Sequence, residues 1–187
     1  MDRVLEAIAV LLSLLYTFMY LIGIVPGAFY PAAIGAIIFT YLCYKKKIYA
    51  EAFLQFFYLV MAIFGFYFFY YGYPIGSWGT WENFALVVGS TIATFYLGTY
   101  LKKNTNSKLP MVDSFTTVFS IGATWLMILN IPDSWYYWVA INAVSTLLYY
   151  RRGLKFGAAL FGIYFVMSID GCFESITWFE DLANLFI

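Results

Sequence analysis

The sequence predicts an all-α integral membrane protein in which seven transmembrane helices form a 3+1+3 arrangement with two parallel repeats. Three observations predict this fold class. First, 64% of the 187 residues are hydrophobic and only 11% are charged, too few charges to cover a water-soluble domain. Second, the apolar runs are roughly 18–25 residues long, the length that crosses about 30 Å of hydrocarbon as a helix. Third, a sequence pattern near residue 58 recurs near residue 164.

Seven apolar stretches qualify as helices, because a turn signal or a basic cluster separates each from the next. The predicted helices are at about 4–23, 29–44, 48–71, 82–101, 110–130, 134–150 and 155–178. The separating residues are Pro26 with Gly27, Lys45 to Lys47, Pro74 with Gly76 and Gly79, Asn104 to Asn106, Pro132 with Asp133, and Arg151 to Gly153. Residues 1–23 are expected to remain as the first helix, because their apolar run is long for a signal peptide and lacks a clean small-x-small cleavage site.

The basic residues check the number of helices independently. If the amino terminus faces the cytoplasm, all ten Lys and Arg residues fall on the cytoplasmic side and every alternate connection carries none. A helix missed or added in the middle of the chain would scatter them over both faces. The ten are Arg3, Lys45, Lys46, Lys47, Lys102, Lys103, Lys108, Arg151, Arg152 and Lys155. We therefore expect a cytoplasmic amino terminus and a carboxyl terminus outside.

The octets YLVMAIFG at 58–65 and YFVMSIDG at 164–171 belong to an internal repeat. At a constant offset of 106 residues, twelve positions between 26 and 65 are identical to their counterparts, against roughly three expected by chance. Both copies place a basic turn between two helices on the same side of the membrane, so the repeats are parallel. Because three crossings alone would invert the second copy, a fourth helix has to lie between them.

These relations define a single membrane domain. Repeat one covers about residues 1–72, the connecting helix about 82–103, repeat two about 110–179, and a short acidic tail 180–187. On the connecting helix, Ser90, Thr94 and Gly98 lie at i, i+4 and i+8, and this stripe of small residues favours close packing. Parallel repeats suit alternating access, in which a site at the repeat interface opens to either side.

Polar residues that occur in only one copy are candidates for function, because intramembrane polarity is costly and the other copy does without it. The candidates are Asp170 with Phe64 as its counterpart, Asn142 with Ala36, and Gln55 with Phe161, joined by Thr124 of the fifth predicted helix. Trp135, Trp138 and Asn142 recur at i, i+3 and i+7, which places two indoles and an amide on one helix face.

Each candidate also has a purely structural interpretation. Trp135 suits an interfacial aromatic belt, and Asn142 and Gln55 suit hydrogen bonds between helices. A packing hydrogen bond is the simpler role for Thr124, since threonine can bond the backbone of its own helix. A functional role is favoured for Asp170, because no Lys or Arg lies at its level and a buried carboxylate stays ionised only beside a cation or water.

An aromatic cage with an amide and a carboxylate suits a flat, cationic ligand through stacking, cation–π attraction and charge neutralisation. A pyridinium or thiazolium vitamin fits this description better than a sugar or a simple ion. No cofactor or metal is expected, because the chain has no histidine and only two cysteines. Zero net charge gives no reason to expect a nucleic-acid partner, and no phosphate-binding loop indicates coupling to ATP.

The runs LPMVDSFTTVFS and WYYWVAIN, the segment YAEAFLQFFY and the 3+1+3 plan resemble the Pnu family of bacterial vitamin transporters over nearly the entire chain. The resemblance implies facilitated, uncoupled uptake of nicotinamide riboside or a related B vitamin such as thiamine or riboflavin, trapped afterwards by cytoplasmic phosphorylation. It also implies a homotrimer in the bacterial inner membrane. It supports Trp135, Trp138, Asn142 and Gln55 as ligand contacts.

Other classes of function stay open on the residues alone. An intramembrane enzyme would use Asp170 and Glu174 as a carboxylate pair, but neighbouring turns of one helix are poor geometry for a shared proton. A non-catalytic assembly or sensor subunit is also compatible with parallel repeats. A sugar carrier has the same SWEET-like topology, although an acid that neutralises the ligand has no evident use there.

Overall fold

The computed structural model describes residues 2–45, 49–72, 78–105, 109–151 and 155–173. These residues form seven α-helices, which confirms the all-helical class. The helices are α1 (Asp2–Leu21), α2 (Val25–Lys45), α3 (Tyr49–Tyr71), α4 (Thr80–Asn104), α5 (Pro110–Ile128), α6 (Ser134–Arg151) and α7 (Lys155–Cys172). Lys46, Lys47, Pro74, Gly76, Asn106, Lys108, Arg152, Gly153, Glu174 and the acidic tail 180–187 lie outside the described residues.

The break between α1 and α2 lies before the one that the sequence predicts. Gly23 has a φ of 77°, and the N–H of Ile24 donates to the carbonyl of Met19 at 2.9 Å, which is the hydrogen bond of a Schellman helix end. The prediction that α2 begins at residue 29 is therefore wrong. Pro26 lies in the first turn of α2, where a missing N–H costs nothing because helix donors there have no intrahelical partner.

The ends of α5 and α7 also differ from their predicted bounds. Asn130 has a φ of 56°, and the N–H of Ile131 donates to the carbonyl of Leu126 at 2.9 Å, so α5 closes with the same type of turn. Asparagine tolerates this left-handed backbone better than most residues. Helix α7 ends at Cys172, and Phe173 after it is not helical, whereas residues 174–178 of the predicted helix lie outside the described residues.

Backbone contacts divide the protein into two compact units. One contains α1 to α3, and in it α2 packs against both α1 and α3. The other contains α4 to α7, in which α5 packs against α4 and α6, and α6 packs against α7. The α2–α3 pair and the α6–α7 pair are the segments that the internal repeat relates.

The stripe of small residues on α4 faces α5, as its spacing predicts. A Cβ added at Gly98 would collide with the Met111 side chain and would lie 3.3 Å from its Cα. Nearer the other end of the same contact, Leu86 of α4 packs against Gly122 of α5. Ser90 is buried between these points. Close approach of the two helices therefore depends on residues with little or no side chain.

Five helices within the described ranges are long and apolar enough to cross a membrane. Their spans are Val4–Leu21, Val25–Lys45, Ala52–Tyr71, Thr80–Asn104 and Pro110–Ile128. The apolar part of α7, Ala158–Cys172, is shorter. Helix α6 is not among the five, since Asn142, Ser145 and Arg151 lower its apolar character.

Candidate functional site

Helix α6 presents the two indoles and the amide that the sequence places on one face. Asn142 is 3% exposed and Trp135 is 9% exposed, while Trp138 is half-buried. The Nε1 atom of Trp138 is itself buried, and no hydrogen-bond acceptor for it occurs among the described residues. At about 100° per residue, the three side chains span roughly 60° of the helix circumference.

Trp135 packs directly on the backbone of α7. A Cβ at Gly171 would lie 2.6 Å from the Cε2 atom of the indole, a distance at which atoms overlap. Glycine is therefore the residue that lets α6 and α7 approach with an indole between them. This contact explains the burial of Trp135 without any ligand, so the ring has a packing role whether or not it also touches substrate.

The first copy of the repeat makes the same contact. Phe29 of α2 occupies the position equivalent to Trp135, and its ring lies 2.5 Å from a Cβ built at Gly65, the counterpart of Gly171. Thr40 and Thr146 likewise match, since each donates its hydroxyl at 2.7 Å to the carbonyl four residues earlier. The offset of 106 residues thus relates local structure as well as identities.

Asn142 joins α6 to α7 through a chain of hydrogen bonds. Its Nδ2 donates to Ser168 Oγ at 2.9 Å, and Ser168 Oγ donates to the carbonyl of Tyr164 at 2.7 Å. Ser168 is 2% exposed. The interhelical hydrogen bond considered for Asn142 is therefore present.

Sequence reasoning missed Ser168, although the rule that selected Asn142 applies to it. The counterparts of Asn142 and Ser168 in the first copy are Ala36 and Ala62, both buried. A buried pair of alanines thus becomes a hydrogen-bonded polar pair in the second copy. The sequence contained this signal, because Ser168 aligns with Ala62 at the offset of 106 residues.

Asp170 is buried, at 6% exposed, whereas its counterpart Phe64 is 41% exposed. Ser168 and Gly171 mark the side of α7 that faces α6. At about 100° per residue, Asp170 lies roughly 160° from Ser168 and 100° from Gly171 around the helix. Asp170 is therefore attached to a different side of α7 from Ser168, the residue that contacts Asn142.

Two further candidates belong to other helices. Thr124 of α5 is 7% exposed and donates its hydroxyl to the carbonyl of Ser120 at 2.7 Å, the backbone bond that its sequence position suggested. Gln55 is half-buried on α3 and so belongs to the other compact unit. Trp135, Trp138, Asn142, Thr124 and Asp170 all belong to the unit of α4 to α7.

A second polar network, which the sequence did not suggest, connects α4 with the start of α6. Asn83 Nδ2 donates to Asp133 Oδ2 at 2.5 Å, and the hydroxyl of Tyr137 donates to Asn83 Oδ1 at 2.7 Å. Asp133 and Tyr137 replace Gly27 and Pro31 of the first copy. The repeat comparison again carried the signal, because both side chains are polar in only one copy.

Comparisons with known proteins agree with this architecture. The family model for the nicotinamide mononucleotide transporter matches residues 3–180. The chain is similar to the crystal structure of the vitamin B3 transporter PnuC, with a TM-score of 0.72 and 22% sequence identity. That similarity covers 91% of this chain and 80% of the other. No match was found among curated protein sequences.

Proposed function

Because this chain belongs to the nicotinamide mononucleotide transporter family, we propose that it carries nicotinamide riboside across the bacterial inner membrane by facilitated, uncoupled transport. The observation that carries the proposal is the face of α6 with Trp135, Trp138 and Asn142, which combines two indoles with an amide. Indoles attract a pyridinium ring by stacking and cation–π interaction, and the amide provides direction through hydrogen bonds. Trapping would follow through phosphorylation in the cytoplasm.

Two observations support a 3+1+3 arrangement of seven spans that opens alternately to either side. The paired contacts of Phe29 with Gly65 and of Trp135 with Gly171 occur at the repeat offset. The small-residue stripe of α4 faces α5, as suits a helix that connects two copies. Alternating access by two related bundles explains how one ligand site can serve both sides without an energy source.

The assembly and the remaining ligand contacts belong to the same proposal. We assign a homotrimer, with a cytoplasmic amino terminus and an external carboxyl terminus. Gln55 is a further ligand contact in this proposal, and Asp170 favours a positively charged ligand through its negative charge. Thr124 stabilises α5 through its bond to Ser120 and contributes to the shape of the site.

Ligand-induced thermal stabilisation of the purified protein tests the proposal. The panel is nicotinamide riboside, nicotinamide mononucleotide, nicotinamide, thiamine and riboflavin, followed by uptake of the stabilising compound into liposomes. We expect nicotinamide riboside to stabilise the protein and to enter liposomes without ATP or an ion gradient. If thiamine alone stabilised the protein, the proposed ligand would change from a pyridinium to a thiazolium compound. If no compound of the panel stabilised it, the proposal would be contradicted.

Two substitutions connect the ligand to the α6 face. Trp138→Ala and Asn142→Ala should each abolish the thermal shift. Matched controls are Trp81→Ala and Asn104→Ala, because Trp81 is 81% exposed on α4 and Asn104 caps the exposed end of that helix. Retention of the full shift in both site variants would place the ligand elsewhere.

A further inference from the structure

Ser168 restricts the orientation of the Asn142 amide. The single proton of its hydroxyl is used in the bond to the Tyr164 carbonyl, and in this arrangement Oγ accepts the hydrogen bond from Asn142. If the amide were turned over, the Ser168 hydroxyl would have to leave the Tyr164 carbonyl in order to donate to Oδ1, so the turned amide gives up the bond to Tyr164. The arrangement therefore favours the orientation with Nδ2 towards α7 and Oδ1 on the opposite edge of the amide.

The α6 face then offers one acceptor and one donor. Asn142 Oδ1 accepts no hydrogen bond from the described side chains, and Trp138 Nε1, one turn earlier on the same face, is a buried donor that meets no acceptor among them. A primary carboxamide has the complementary pair, an N–H donor and a carbonyl acceptor. A carboxylate has only acceptor oxygens, so one of them would lie against Asn142 Oδ1 with no hydrogen bond between the two.

We propose that Ser168 is a positioning residue that fixes the Asn142 amide and thereby makes the carrier select a carboxamide over the corresponding carboxylic acid. This inference rests on the proposed function, in which the α6 face contacts the vitamin. Packing of the helix pair does not require the polar pair, because the first copy buries Ala36 and Ala62 at the equivalent positions. The hydroxyl therefore has a role that the scaffold alone does not explain.

The test compares the dissociation constants of nicotinic acid riboside and nicotinamide riboside on the purified full chain. In the wild-type protein the acid should bind at least about tenfold more weakly, because a buried acceptor would oppose its carboxylate. In Ser168→Ala the amide can turn its N–H₂ towards the acid, and the ratio should fall to about threefold or less. The charge of Asp170 disfavours the acid in both proteins, so it cancels in the comparison.

Two variants separate positioning from general destabilisation. Ser114 of α5 is 0% exposed and donates to the Pro110 carbonyl at 2.7 Å, so Ser114→Ala removes a similar bond away from Asn142 and should keep the wild-type ratio. Ser168→Thr restores the hydroxyl and should restore the ratio. A merely structural role for Ser168 would lower both affinities together and leave the ratio unchanged.

A ratio in Ser168→Ala within twofold of the wild-type ratio would overturn the inference while leaving the proposed function intact. Equal binding of acid and amide by the wild-type protein would overturn it as well, and this measurement needs no variant to fold. If the wild-type protein bound neither riboside, the proposed function itself would fail and the inference with it.

Discussion

The indole of Trp135 on α6 lies against the backbone of Gly171 on α7 so closely that a Cβ at position 171 would overlap the ring. Phe29 and Gly65 make the equivalent contact between α2 and α3. The contact thus belongs to the repeated helix pair, and only the aromatic ring changes between the copies. An aromatic residue against a glycine is therefore part of the packing of both helix pairs.

Gly171→Ala should destabilise the protein by about 1–3 kcal/mol, because the added methyl group has to displace either the indole or the α7 backbone. Gly162→Ala on the same helix is the matched control, since nothing lies within 4 Å of a Cβ there. That control should be neutral or stabilising by up to about 1 kcal/mol, because alanine favours helix. Thermal unfolding in detergent compares the two, and equal melting temperatures would contradict the packing.

Trp135→Phe should separate packing from recognition, because Phe29 shows that a phenyl ring satisfies the same contact. The loss of stability should stay below the about 3–5 kcal/mol of a truncation to alanine. Affinity for the vitamin should fall about two- to tenfold, since aromatic pairs contribute about 0.5–1.5 kcal/mol. Calorimetric titration measures it, with Trp81→Phe as the control. Unchanged affinity would leave Trp135 with packing alone.

Asp170→Asn should weaken a cationic ligand more than a neutral one. Nicotinamide riboside carries a pyridinium charge and its dihydro form does not, so the difference isolates the carboxylate. We expect a selective loss of about tenfold, equivalent to about 1.4 kcal/mol, because the site is poorly screened. Asp113→Asn, in the first turn of α5, changes the net charge equally and is the control. Equal losses for both ligands would give Asp170 a structural role.

Tyr137→Phe should cost about 0.5–1.5 kcal/mol, because it removes one hydrogen bond between α4 and α6, and Asn83→Ala should cost more, because it also removes the bond to Asp133. Since the residues share one bond, the double variant should lose less than the sum of the two single variants. Denaturant unfolding of the wild type, the two single variants and the double variant measures the coupling free energy between Tyr137 and Asn83. Tyr136→Phe is the neighbouring control, because Tyr136 is 63% exposed. Additive losses would show that the network does not connect the helices.

A thiol at position 79 should react with a membrane-impermeant maleimide added to intact cells, and a thiol at position 103 should not. The reason is that basic residues favour the cytoplasmic side. Lys102, Lys103 and Lys108 therefore place the connection after α4 inside, and the connection before α4 is then outside. Gly79→Cys and Lys103→Cys are made in a chain lacking Cys43 and Cys172. The reverse pattern of labelling would invert the proposed orientation.

The number of helices and the internal repeat were predictable because each is indicated by a sequence pattern that extends over many residues. Apolar runs and twelve spaced identities extend over whole helices, so no single residue decides them. Helix ends depend on one or two residues instead. Pro26 was interpreted as a break, whereas the same proline suits a first turn, and the positive φ of Gly23 decides between these interpretations.

Part of the candidate site was predictable from helical spacing alone. Trp135, Trp138 and Asn142 share a face because 3.6 residues make a turn, whatever the neighbours are. Which partner each side chain meets depends on the other helix. Ser168 was missed because a serine in an apolar run looks like packing until its hydroxyl is seen between Asn142 and the Tyr164 carbonyl.

The sequence by itself determined a helical membrane protein with a duplicated helix pair and a polar, aromatic α6, since hydrophobicity and periodicity are properties of consecutive residues. Only the tertiary structure decided that the indole of Trp135 packs on Gly171, that Ser168 is hydrogen-bonded to Asn142, and that Asp170 lies on a different side of α7 from Ser168. Those relationships depend on the relative rotation and distance of two helices. Residues far apart in the chain set both through close packing, so no local pattern contains them.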